Sequence, residues 1–378
     1  MPRSNAMTNF QVKTVDANVN YWVVRAGKSG AYLQNFYENG LVAVGHLDDI
    51  EYLASDLQSN EQFLEVLVRY KAHLIENESS LSSASNKAGQ VNRFVREMQT
   101  GDVIISLDDT HILTGVITSD AYKDATQRVV RDSEGGIIGT PLEYSLRRNV
   151  SWGNRVSKNN VPSAIRTSLW ANQTIFCVSE HWQTLNHWLS VVFINDDSVY
   201  FSSRILQDED ISNFDVSQFS RILNIFDAVS LKLLENELDE MTDVGEYVTN
   251  AYRECMVNRS FQLKTQQSFM SPGVYWGSLS GGRTKNIIFI MLFCMLFNHE
   301  AVFADGMDDS IAQDYRENVN VIVSHVKNAE GFEHVQEGLV LNLPPQHNLA
   351  ASQNEGTNNQ SEGELEFPSD EPSSTGEI

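Results

Sequence analysis

Residues 22–36 read WVVRAGKSGAYLQNF, and the reading of this stretch decides the fold of the first half of the chain. Its centre, Gly27-Lys28-Ser29, is the tripeptide that ends a nucleotide-binding P-loop. That loop needs a further glycine five residues before the Gly-Lys pair, so that successive backbone N–H groups wrap the phosphates. Trp22 stands there instead, and Gly30 follows Ser29 where a helix would have to start. The stretch therefore reads as a strand, a turn through Gly27 and Gly30, and a short helix carrying Tyr32, Phe36 and Tyr37.

Outward from this point the pattern continues in short strands and helices. GLVAVGHL is strand-like, and residues 60–76 place Phe63, Leu64, Val66, Leu67 and Tyr70 at helical spacing. NESSLSSASNKAG reads as a polar loop. VNRFVREMQTGDVIISL predicts a short helix and then a strand, and HILTGVITSDAY a further strand. A Gly-rich hairpin tip, SEGGIIG, leads into LEYSLRRNVSW, and TIFCVS gives a last strand. Strands mixed with short helices, joined by hairpins, predict an α+β domain built on a small β-barrel. Residues 1–14 read as a leader outside the fold, with Met7 an alternative start.

From about residue 180 the pattern shifts. HWQTLNHWLSVVF and most of 216–256 read as helix, so 181–335 is expected to be a mainly α-helical domain. SFMSPGVYWGSLSGG reads as a loop with strand character. Residues 336–378 are expected to be a disordered acidic tail, because a segment with seven acids after Ser352 and no Lys or Arg cannot repay its ordering entropy.

The net charge of −23 is unevenly spread. Residues 1–180 hold 17 basic and 20 acidic residues, and residues 181–378 hold 10 and 30. The first half can carry a local basic face, whereas the second repels polyanions. Cys177, Cys255 and Cys294 are too few and too scattered for a disulfide framework or a zinc knuckle, which fits a reducing, cytoplasmic setting.

Five phrases carry a resemblance in order: YWVVRAGKSGAYLQNFYENGLVAVG, QVNRFVREMQTGDVIIS, ILTGVITSDAY, SLRRNVSW and TIFCVS. This series resembles the PUA-like superfamily, and within it the EVE-like and YTH-like domains found at the N-terminus of modification-dependent restriction proteins of the Mrr and McrB kind. It covers residues 15–180. The family's usual Trp after the second strand's glycine is replaced, since His46 follows Gly45. The resemblance implies a non-enzymatic reader that binds nucleic acid, most naturally DNA, and holds one flipped base, often methylated, with a role in restriction or anti-phage defence. The base-pocket candidates are Trp22, Tyr32, Phe36, Tyr122 and Trp152. The phosphate-contact candidates are Arg25, Lys28, Arg147, Arg148 and Arg155. AGKSG then reads as a mobile loop at the pocket mouth. Each of these residues has a plainer reading: Trp22 and Trp152 sit in strands where core packing serves equally well. Arg147 and Arg148, adjacent in a strand, should point to opposite faces, one buried beside a carboxylate such as Asp102 and the other exposed.

No catalytic motif stands out, and neither a cofactor nor a metal is expected. The only Gln-X-Lys of the second half is Gln262-Leu263-Lys264, and the segment before it reads as helix rather than as the acid-bearing strand a nuclease needs, so a divergent nuclease is the weakest alternative. His181 and His187 are six apart, wrong for a helical metal pair, and His299-Glu300 lacks a second His at metalloprotease spacing. The run IIFIMLFCMLF at 287–297 is too short for a bilayer, which takes about twenty apolar residues. A buried segment is the preferred reading. A membrane-anchored or protein-interaction module, anchored through 286–304, is the alternative. The second half is expected to contact an unidentified protein partner.

Overall fold

A computed structural model describes residues 8–344 apart from 78, 159–160, 162–164, 167–168, 170–172, 236–237, 239–242, 269–272 and 304–305. The chain opens with β1 (Thr8–Thr14), in the residues read as a leader, and this strand belongs to the second half of the molecule. It pairs in parallel with β12 (Val192–Asn195) on one side and β16 (His299–Phe303) on the other. Everything between β1 and β12 is thus an excursion from one sheet that builds a second one.

That excursion contains β2 (Tyr21–Val24), β3 (Leu41–Val44), β4 (Val103–Leu107), β5 (His111–Ile117), β6 (Tyr122–Lys123), β7 (Arg128–Arg131), β8 (Ile137–Leu142), β9 (Leu146–Trp152), β10 (Val156–Ser157) and β11 (Ile175–Cys177). They form a curled, half-barrel sheet in the order β11-β2-β4-β5-β9-β3, with β10 on β5, β6 on β9 and β7-β8 as a separate hairpin. Alternation along β2 explains why the strand is buried throughout. Trp22 and Val24 enter one core with α1 (Leu33–Asn39) and α2 (Asn60–Glu76), while Tyr21 and Val23 enter another on the opposite face. The segment read as a polar loop is largely α3 (Leu81–Asn92). Ser80 caps it by accepting from the Ser83 N–H, and burial of Ala84 and Val91 overrides the weak helix propensity of its serines.

Helix α4 (Trp182–Leu189) joins the two halves. The second half carries the helices that were expected, and it also contains a sheet that the sequence reading did not foresee. Its sheet runs β14 (Lys264–Ser268), β15 (Gly273–Ser280), β13 (Ser198–Ile205), β12, β1, β16, with β17 (Leu341–Asn342) on the end of β13. One face packs α5 (Asn213–Glu235), α6 (Val244–Asn258), α7 (Arg283–Leu296), α8 (Gly306–Ala329) and α9 (Phe332–Leu339) around a single core. The apolar run is the middle of that core: α7 is buried nearly all round, against Phe201 and the flanking helices. Among the described residues no helix is long and apolar enough to cross a membrane. Residues 336–344, expected to belong to the disordered acidic tail, instead complete α9 and form β17, because Leu339 and Leu341 are buried in the second core; the rest of the expected tail lies outside the described residues.

Candidate functional site

The residues proposed from sequence divide sharply. Trp22, Phe36 and Trp152 are core residues. The Trp22 indole donates to Asp102 Oδ2 at 2.8 Å, and the Trp152 indole donates to the Phe36 carbonyl at 2.8 Å. Rings so enclosed leave no face for a base, so these three are corrected to packing roles. Tyr122 is half-buried, with its hydroxyl donating to Asn149 Oδ1 at 2.7 Å.

The two adjacent arginines do point to opposite faces, but neither is exposed. Arg147 is closed in by Asp124 at 2.9 Å and the carbonyls of Tyr144 and Thr126. Arg148 donates to the carbonyls of Phe94, Ser119, Val95 and Met98. Burial holds its guanidinium down at about 10. Asp102, the partner expected for one of them, serves Trp22 and the N–H groups of Asn20 and Gln99. A guanidinium that spans four carbonyls is a structural clamp. Arg25 is likewise turned inward, onto the carbonyls of Leu169 and Gln173. Only Lys28 and Arg155 remain exposed; Arg155 bonds Gln34 and lies 5.7 Å over the Tyr37 ring.

Tyr32, like Tyr122, is only half-buried, and the structure adds a partner to it that sequence reading missed. Tyr144, in the break between β8 and β9, meets Tyr32 edge-on with ring centroids 4.8 Å apart. Two glycines make room for the pair. Gly27 has φ +77°, and a Cβ there would lie 2.6 Å from the Tyr32 ring. A Cβ on Gly45 would lie 2.6 Å from the Tyr144 ring and 3.0 Å from Asp48 Oδ2. Asp48 Oδ1 is filled by the Ser145 N–H at 3.0 Å and its hydroxyl at 2.6 Å. Its Oδ2 is thus the oxygen that faces Gly45 and the Tyr144 ring. Burial, helped by the neighbouring Tyr32 and Asp48, raises the Tyr144 phenol above its ordinary range. The signals were faint: Tyr144 was read as mid-strand, and Asp48 follows the His46 that replaces the expected Trp. His46 itself is half-buried and held at about 4 by burial and by Lys87.

The Gly27-Lys28-Ser29 segment is a single 3₁₀ turn (Lys28–Gly30) leading into α1, with Ser29 at φ +51°. It offers no long helix N-terminus for phosphates, in keeping with the strand–turn–helix reading.

In the second half, Lys264 is exposed on edge strand β14, while the nearest acid to its motif, Asp227, lies on α5. Asp227 pairs with the buried Lys285 at 2.6 Å and accepts from the N–H groups of Gln262 and Leu263. This network ties α5, α7 and the 262–263 turn together. Among the described residues, no three His, Cys, Asp or Glu side chains group closely enough to hold a metal ion.

Residues 22–178 match a family model described as a domain of unknown function (DUF8426), which covers less than half of the chain and coincides with the curled sheet. No curated protein and no solved structure matches the chain.

Proposed function

We propose that the first domain is a PUA-like reader that takes one unstacked nucleic-acid base, and discriminates a modification on it, at the Tyr32–Tyr144 edge. One observation carries the reading: two half-exposed tyrosines meet edge-on where Gly27 and Gly45 leave room for their rings, with Asp48 Oδ2 beside Gly45. A phenol ring offers a stacking face worth roughly 1–3 kcal/mol to any base. An ionised carboxylate is acceptor-only, so Asp48 Oδ2 takes an N–H of the base edge. Lys28, just before α1, and Arg155, which contacts Gln34 and Tyr37 of that helix, are exposed and supply cations for the flanking phosphates. The near-neutral charge of residues 1–180 is compatible with such contacts.

The test is binding of the full-length protein to matched oligonucleotides with and without methylated cytosine or adenine, for wild type, Tyr144→Ala and Tyr32→Ala. Loss of one stacking face should weaken binding by roughly 5- to 150-fold, with the preference for one modified strand lost as well. Equal affinity of wild type for every oligonucleotide, or unchanged affinity in both variants, refutes the reading.

A further inference from the structure

The face of the second sheet that turns away from the helices is unusual for so acidic a half-chain. Cross-strand register puts Ser198, Tyr200, Ser202 and Arg204 of β13 on it, with Val274, Trp276, Ser278 and Ser280 of β15 and Lys264 and Gln266 of β14. No acid is among them. Helix α4 covers the Tyr200 side through Trp182 and His187. Towards β14 the face stays open: Lys264 and Gln266 are exposed, and Trp276 is partly so.

Among the described residues, two cations on this open part have no counter-charge. Arg204 is half-buried, and among the described residues its guanidinium has neither an ion pair nor a hydrogen bond. Burial lowers its pKa with no carboxylate acting against it. Lys264 is likewise without an acidic partner among them. A desolvated guanidinium with no anion is costly, which points to an anionic occupant.

The chain's own exit point supplies one. The last strand, β17, pairs antiparallel with β13 so that Asn342 lies directly opposite Arg204. Beyond Pro344, residues 345–378 hold seven acids and no Lys or Arg. On the other flank of the exit, Glu333 and Glu337 of α9 line a shallow cleft with Leu206 and Val340 and repel further acids. The thirteen residues from Asn342 to Glu355 span up to about 45 Å, whereas β14 lies two strand spacings, about 10 Å, from β13. We propose that the acidic C-terminal segment folds back onto this sheet face and sets its carboxylates against Arg204 and Lys264. The tether makes the encounter intramolecular, with an effective concentration on the order of millimolar, so individually weak surface pairs suffice. The segment then screens this cationic sheet surface from foreign polyanions.

Zero-length carbodiimide crosslinking of the full-length protein, mapped by mass spectrometry, tests this. Lys264 should join glutamates between Glu355 and Glu371 within one chain, in several-fold higher yield than exposed Lys28 of the first domain. The yield should fall several-fold in about 0.5 M salt, where screening shortens to a few ångströms, and in Arg204→Gln. Should that variant fail to fold, Gln266→Glu, an exposed change two residues along β14 from Lys264 that leaves every carboxylate of the segment in place, should give the same loss. Equal yields at Lys264 and Lys28, links only between chains, or a yield indifferent to salt and to both variants overturns the proposal. None of these readouts uses nucleic acid, so the outcome is independent of the reader function.

Discussion

His187 gives the second half a calculable sensitivity to pH. Its ring lies flat on Trp276, with centroids 4.7 Å apart and planes 3° from parallel, and its Nδ1 is 2.7 Å from Ser202 Oγ. Phe193 closes the remaining side, and burial pushes the imidazole down to about 3. In the unfolded chain the same ring titrates near 6.5. Between those values the unfolded state binds a proton that the folded state refuses, so stability is fully present above about pH 6.5 and is lost as pH falls towards 3. From pH 7 to pH 5 the loss amounts to about 2 kcal/mol for this one residue. His46, held near 4, adds a similar amount in the first domain. His187→Phe keeps the stack and removes the titration. Urea unfolding of wild type and variant at pH 7, 6 and 5 should show the variant losing about 2 kcal/mol less over that range, whatever constant penalty follows from the lost Ser202 bond. Equal pH dependence in the two proteins would show that the ring is protonated in the fold, and the burial argument would fail.

Trp152→Ala should cost about 3–5 kcal/mol in urea unfolding, since it empties a core site and removes one of the donors to the Phe36 carbonyl, leaving the Gly40 N–H; a loss confined to ligand binding, with stability intact, would contradict its packing role. The buried Asp227–Lys285 pair should show strong coupling in a double-mutant cycle. Asp227→Asn and Lys285→Met should each cost about 3–5 kcal/mol by stranding a charge, while the double variant, which keeps an acceptor for the Gln262 and Leu263 N–H groups, should cost far less than their sum; additive costs would refute this. Asp124 should titrate near 2 in an NMR pH series: burial raises its pKa, but Thr126, Arg128 and Arg147 more than offset that. Its contribution to stability is therefore present above about pH 4 and lost as pH falls through 2, and a midpoint at the ordinary value would mean that Arg147 is held by its carbonyls alone.

The elements of the first domain could be read because its strands carry local signals. Tyr21–Val24 and Leu41–Val44 are β-rich and flanked by turn residues, and α2 occupies the 60–76 stretch that its periodicity marked. The second sheet was hidden for a physical reason in each strand. β14 is KTQQS, a polar edge that buries little; β16 continues an apolar run already spent on a helix; β1 lies some 180 residues from its partner β12. No window of local sequence contains such a pairing. The site residues failed differently. A strand tryptophan that stacks on a base and one that packs a core have the same neighbours in sequence, and only the location of an acceptor for the indole N–H separates them. Asp102 for Trp22 and the Phe36 carbonyl for Trp152 come from 80 and 116 residues away. The open tyrosines were missed in part because Tyr144 sits in a three-residue break that reads as continuous strand.

The order of pairing also explains how the halves are joined. β1 and β12 are adjacent and parallel, with Lys13 opposite Phe193, yet the whole first domain lies between them. It stands where a crossover connection would stand in an ordinary parallel sheet. Its two ends consequently run together: the Val178 N–H donates to the Tyr21 carbonyl, and the Asn195 side chain donates to the Val15 carbonyl. Helix α4 tightens the junction, because Leu185, Trp188 and Leu189 pack in the core of the first domain while His187 packs on the second sheet. A domain inserted this way can be cut out between its neighbouring ends with little damage to its own core. The second half has no such freedom, since losing residues 8–14 removes an interior strand whose backbone bonds serve both neighbours. The dependence between the halves is therefore one-sided, and the sheet that carries the cationic face is the one that needs the chain's first strand in place.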